Sequence, residues 1–170
     1  MEYWDVYDVQ GNKTGRVRPK GDTFAPGERH LAMELWIWNS RGEVLLQKRA
    51  DTVEILPGMW ALTTGRMRAG EDGLSGCLRE AAEELGLALH PSEPRLVRRI
   101  LREGESMLWE IYRADRDIDP ASLRLQPEEV SDVRWVSPET FREMVRRGEL
   151  ISYPEIFELL EEMTSARVVC

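Results

Sequence analysis

Between Gly65 and Leu87 the chain reads GRMRAGEDGLSGCLREAAEELGL, and no other stretch restricts its fold and chemistry as tightly. Glu71, Asp72, Glu80, Glu83 and Glu84 crowd a segment opened by glycines, with Arg79 the one basic residue past the opening loop. Like charges one helical turn apart repel, so this crowding calls for a counter-charge. On a helix advancing about 100° per residue, Leu74, Cys77, Leu78, Ala81 and Leu85 fall within roughly one third of the circumference. That stripe is the expected buried face. Glu80, Glu83 and Glu84, related as i, i+3 and i+4, share another face. Gly76 lies one turn before Glu80, and a mid-helix glycine costs about 1 kcal/mol relative to alanine. Close packing or ligand access would explain it, and the expectation is a gap that leaves room for a ligand beside the acids. Three carboxylates on one rigid face make a hard-oxygen site suited to Mg²⁺ or Mn²⁺. A solvated acidic face is the alternative.

The whole chain limits the partners of such a site. Its 170 residues favour one domain, and its formal net charge of -8 argues against a nucleic-acid polymer or an anionic membrane as partner. Cys77 and Cys170 have no metal-type spacing and fit a reducing cytosol. The N-terminus MEYWDVYDVQGNKTG has no basic start and no apolar run, and nothing approaches membrane-spanning length. The expected setting is cytoplasmic.

Strand and helix signals alternate along the chain. WDVYDV reads as a strand, QGNKTG as a turn and RVRPKGDTFAPGE as a loop-rich continuation. HLAMELWIWN, VLLQKR and WALTT read as strands leading into Gly65. RLVRRILRE and MLWEIYRA pair as antiparallel strands across GES, and VRWVS is a last strand. Ser137 caps a helix with Pro138 at its first position. Ser152 and Glu155 have capping-box spacing, which places the start of a final helix at Ser152. This mixture predicts an α/β layered domain.

The spacing of the acidic segment resembles the signature of the Nudix hydrolase family: Gly65, Glu71, Arg79-Glu80, Ala81, Glu83-Glu84, Gly86 and Leu87 fill every constrained position. Looser similarity in LLQKR, PGMW and VRWVSPE extends the likeness over most of the chain. The resemblance implies the Nudix fold, a mixed β-sheet sandwiched between α-helices, as a single domain over residues 1–170, with 1–28 an N-terminal extension or hairpin and 29–170 the core. It implies metal-dependent hydrolysis of a nucleoside diphosphate linked to another moiety X, with Mg²⁺ or Mn²⁺ as cofactor. Metal ligation carries over to Glu80, Glu83 and Glu84, with Glu71 behind them or as an occasional direct ligand. Arg79 orients the box carboxylates, and Gly65 with the backbone carbonyl of Thr64 closes the site. The general base is Glu83 or Glu84, or a later glutamate at Glu128 or Glu129; an exposed acidic turn is the other account of those two. By analogy Arg49 and Arg66 meet a substrate phosphate, or else form exposed salt bridges.

The segments DVYDVQGNKTG and GERHLAMELWIWN resemble the branch related to isopentenyl diphosphate isomerase. Two departures speak against isomerase activity: that enzyme needs a cysteine where this chain has Thr64, and a metal-binding histidine where it has Arg66. His30 matches a further metal-binding histidine of that branch, or is a strand-entry histidine bonded to backbone. Cys77 is expected in the core. Trp36, Trp38 and Trp60 are expected to be core aromatics more than base-stacking ones. Trp4 and Tyr7 are candidates for a substrate lid or a homodimer contact, and Asp51 and Glu54 for a loop bordering the site. The functions left in competition are pyrophosphohydrolase, isomerase and a non-catalytic module that binds a nucleotide sugar.

Overall fold

A computed structural model describes residues 1–168, so Cys170 lies outside the described residues. In chain order the elements are β1 (Tyr3–Tyr7), β2 (Lys13–Pro19), β3 (His30–Trp38), β4 (Val44–Arg49), β5 (Trp60–Ala61), β6 (Thr63–Arg66), α1 (Gly73–Leu85), β7 (Arg95–Arg102), β8 (Met107–Asp115), β9 (Val130–Val136), α2 (Pro138–Arg146) and α3 (Ile156–Val168). They are of the α/β class. The chain forms two units: the first comprises Met1–Trp36, Thr63–Ala82 and Ala88–Ala114, the second Ile37–Leu62, Glu83–Leu87 and the chain from Asp115 on. No helix among the described residues is long and apolar enough to cross a membrane.

In the first unit β1 and β2 form an antiparallel hairpin with Trp4 opposite Arg18. The turn between them closes at Gly11, whose φ of 82° is a conformation glycine adopts without strain. Strand β2 corrects the expected turn and loop. None of its residues is buried, so it lacks the apolar alternation by which a strand is recognised, and pairing with β1 creates it. Strand β3 is buried at all nine positions. It pairs with β6, placing Glu34 opposite Thr64 and Ala32 opposite Arg66. Strands β7 and β8 form the expected antiparallel pair.

Helix α1 has the expected length, and its buried face holds Cys77, Ala81 and Leu85 of the expected stripe but is turned away from Leu74 and Leu78. Gly73, Gly76, Cys77, Ala81 and Leu85 are buried, whereas Leu74 and Leu78 are only half-buried. The glycines account for the rotation. A Cβ on Gly73 would come within 2.6 Å of the Tyr112 hydroxyl, and one on Gly76 would overlap the Met67 thioether. Gly76 is therefore a packing glycine filled by Met67, which corrects the expectation that it leaves room for a ligand.

In the second unit β4 pairs with β5 and β9, setting Gln47 opposite both Ala61 and Val133. Trp38 at the end of β3 lies opposite Val44. Ser137 caps α2 as expected, its hydroxyl accepting from the Thr140 amide at 3.1 Å, with Pro138 in the first turn. Helix α3 starts at Ile156, four residues after the expected Ser152. Pro154 explains the shift, because a proline disfavours helical conformation at the residue before it, here Tyr153.

Candidate active site

Glu71, Arg79 and Glu80 form one hydrogen-bonded group in the first unit. Arg79 donates to both carboxylate oxygens of Glu71, Nε to Oε1 at 2.7 Å and Nη2 to Oε2 at 3.0 Å. A third donation runs from Nη1 to Glu80 Oε1 at 2.8 Å, and a fourth from Nη2 to the Arg66 carbonyl at 3.3 Å. Bidentate Arg–carboxylate pairs fix direction as well as charge. Burial works against the charged Glu71 carboxylate, but the Arg79 guanidinium and the Arg68 amide outweigh it and hold Glu71 below the usual carboxylate range. The bonds to Glu71, and then Glu80, hold the Arg79 guanidinium above its ordinary value. Gly65 lies against Glu80, and a Cβ there would overlap the Glu80 carboxyl group.

The last turn of α1 belongs to the second unit. Glu83 is exposed and Glu84 half-buried. Gln47 Nε2 donates to Glu84 Oε2 at 2.5 Å. The Gln126 amide donates to the Glu84 carbonyl at 2.9 Å, and the Arg124 amide to the Leu85 carbonyl at 3.0 Å. These bonds supply partners for carbonyls that a helix C-terminus leaves unsatisfied. Gly86, with φ 62°, ends the helix where a side chain would meet the Arg124 backbone at 2.9 Å.

Thr64 is half-buried in β6. Arg66 is exposed, and its guanidinium lies 5.1 Å from the centroid of the Trp4 ring, a cation–π contact in place of the expected exposed salt bridge. Arg49 donates from Nε to the Ile55 carbonyl at 2.8 Å. Glu128 and Glu129 are exposed, as are Asp51 and Glu54. The carbonyls of the glutamate pair serve structure, accepting from the Thr52 hydroxyl and the Ala50 amide respectively.

His30 stands at the entry to β3 with its backbone bonded, as the second sequence account has it. Its own amide donates to the Ser106 carbonyl, yet both ring nitrogens are buried without a hydrogen-bond partner. The ring stacks on Trp4 at 4.7 Å and tilts against Phe24 at 5.1 Å. Burial, and then the Arg66 charge, push its pKa down to about 4. A neighbouring guanidinium opposes a cation at this ring. Trp4 and Tyr7 are buried within the first unit, so they offer no surface for the expected lid or homodimer contact. Trp36, Trp38 and Trp60 are core, as expected. Cys77 is buried with its Sγ 3.6 Å from Met33 Sδ, and burial raises its thiol pKa far above the ordinary value. Gln47, which the sequence does not single out, bonds Glu84; the lone amide after the apolar residues of VLLQKR is its one signal.

Among the described residues, no three His, Cys, Asp or Glu side chains already converge as a metal cage. Glu80 and Glu84 are instead held by Arg79 and Gln47. The donor set still fits a hard divalent ion: carboxylates at i, i+3 and i+4, with Gly65 leaving space that the Glu80 carboxyl group occupies.

The NUDIX domain family matches residues 28–156. The chain belongs to the Nudix family, and its enzyme class is that of the Nudix hydrolases. An uncharacterized Nudix hydrolase of Listeria innocua is 33% identical over 168 residues, covering 96% of this chain and 98% of that protein. The isopentenyl-diphosphate Delta-isomerase of Pectobacterium atrosepticum is 32% identical over 168 residues, covering 96% and 89%. The crystal structure of DR0079 from Deinococcus radiodurans has the same fold, with TM-score 0.76 at 20% identity, covering 95% of this chain and 98% of that one.

Proposed function

We propose that the protein is a Mg²⁺- or Mn²⁺-dependent pyrophosphohydrolase acting on a nucleoside diphosphate linked to a further group. The observation that carries this reading is the complete acid face of α1, with Arg79 bonded to Glu71 and Glu80 and a glycine at position 65 against Glu80. A divalent ion there would be held by Glu80, Glu83 and Glu84, with Glu71 behind them and the Thr64 carbonyl at the edge. It would supply charge neutralisation on the diphosphate oxygens and a more acidic water. Arg79 orients the Glu71 and Glu80 carboxylates and favours the ionised form of Glu71. Glu83, exposed near the end of α1, is the first candidate to accept the proton of the attacking water, and Glu84, Glu128 and Glu129 are the others. Arg66 and Arg49 present cations for the substrate phosphates.

The isomerase relative is almost as similar as the hydrolase one, so a residue argument separates the two readings. Isomerisation moves a proton on carbon and, by the resemblance, uses a thiol at the position of Thr64 and a histidine at that of Arg66. A threonine hydroxyl is far less acidic than a thiol, and the thiol of Cys77 is buried against Met33. Hydrolysis requires neither group. The test is a phosphate-release screen over ADP-ribose, dinucleotides, coenzyme A, nucleotide sugars and prenyl diphosphates, with Mg²⁺, with Mn²⁺ and with chelator. Metal-dependent cleavage of at least one diphosphate is the expected result. Deuterium incorporation into prenyl carbons from deuterated water, with no cleavage of any compound, would overturn the hydrolase reading. Binding without turnover would favour the nucleotide-sugar-binding module.

A further inference from the structure

The hydrogen bond between Gln47 and Glu84 reaches from the middle of a buried strand to the acid face of α1. Val44, Leu45 and Leu46 are buried apolar residues, and Gln47 continues the run as a side chain only 7% exposed. It sits on β4 with Ala61 opposite on one side and Val133 on the other. Burying a primary amide costs free energy unless its donors are matched, and Glu84 supplies one of the matches. Its Nε2 donates to Glu84 Oε2 at 2.5 Å. Hydrogen bonds to a charged acceptor are about twice as strong as neutral ones.

The backbone beside Glu84 is fixed independently. Gln126 and Arg124 bind the carbonyls of Glu84 and Leu85 at 2.9 and 3.0 Å, and Gly86 packs so close to Arg124 that an added Cβ would meet it at 2.8 Å. With the main chain anchored, the freedom left to Glu84 is in its side-chain torsions. Gln47 acts on those torsions.

We propose that Gln47 is a positioning residue for Glu84, holding one carboxylate oxygen so that the group is pre-oriented to bind the divalent ion. Gln47 thereby sets metal affinity without touching metal or substrate. This inference rests on the reading of the α1 glutamates as metal ligands, and Glu84→Gln serves to test that reading separately. Groups that orient a metal ligand typically change metal affinity or activity by about 10–100-fold when removed.

The experiment measures Mn²⁺ affinity of the intact protein from the electron paramagnetic resonance signal of free Mn²⁺, with no substrate present. Gln47→Met matches the side chain in length and apolar packing but has no donor, and Gln47→Leu is the second variant should Gln47→Met fold poorly by thermal denaturation. The expected result is about 10–100-fold weaker Mn²⁺ binding in the folded variant. In turnover assays the metal activation constant should rise by a similar factor, and kcat should recover to within a few-fold at saturating Mn²⁺. Unchanged Mn²⁺ affinity in Gln47→Met, with clear weakening in Glu84→Gln, would overturn the role of Gln47 and leave the metal-site reading intact. Unchanged affinity in both would overturn the two together.

Discussion

The carboxyl group of Glu80 occupies the space that a side chain on Gly65 would fill. Strand β6 and helix α1 thus meet at a backbone-to-carboxylate contact, and the glycine is required by that contact, since its φ is not among the positive values that call for glycine elsewhere in the chain. Gly65→Ala forces a flexible carboxylate aside while backbone and core stay in place. We expect turnover to fall by roughly 10–100-fold, the range seen when a metal ligand is misaligned, with thermal stability little changed. A circular dichroism melt alongside kcat checks both parts, and full activity in the variant would contradict the role given to Glu80.

Leu78 and Leu85 both lie on the apolar stripe read from periodicity, and they differ in how far the fold buries them. Leu85 is fully buried and Leu78 only half-buried. Leu85→Ala is expected to cost about 2–5 kcal/mol, the usual price of a deleted core leucine. For Leu78→Ala the expectation is below about 1.5 kcal/mol, because its side chain gives up less buried area. Urea denaturation midpoints of the two variants decide it, and a larger loss at Leu78 would restore the face read from periodicity.

His30 makes stability depend on pH. Its folded pKa of about 4 lies below the ordinary 6.5, so between those values the unfolded chain binds more protons than the folded one. Stability therefore rises with pH across this window and is lost as pH falls from about 6.5 towards 4. The difference corresponds to roughly 3 kcal/mol. Denaturation of wild type and His30→Phe at pH 7 and pH 4 is the check: the wild type should lose about that much more than the variant. Equal losses would mean that the His30 ring is protonated in the fold.

How far the sequence carries the account differs from element to element. The span of α1 and its acid triad were legible because charge spacing and glycine stops are local signals. Its buried face departs from periodicity at Leu74 and Leu78 because Gly73 and Gly76 pack through what they lack: Tyr112 and Met67 fill the space, and apolar periodicity cannot score an absent side chain. Strand β2 left no trace because none of its residues is buried and it exists through its pairing with β1. The capping-box spacing of Ser152 and Glu155 points to an earlier start of α3 than Ile156, and Pro154 is what delays it. Trp4 and Tyr7 looked like surface aromatics in an extension, whereas Trp4 stacks on His30. The Gln47–Glu84 bond joins residues 37 positions apart, a relationship that only the fold makes visible.

Turnover of the best diphosphate substrate by Glu83→Gln and Glu84→Gln, at saturating Mg²⁺ and in ¹⁸O-labelled water, tests the central claim most directly. Each substitution replaces a charged oxygen ligand by a neutral amide, and losing one strong electrostatic contact in the transition state costs about 3 kcal/mol. The account predicts ¹⁸O in a phosphate product of the wild type, no turnover with chelator, and kcat lowered by at least about a hundredfold in each variant with the fold intact. Wild-type kcat in both variants would contradict the assignment of the α1 acid face as the catalytic metal site.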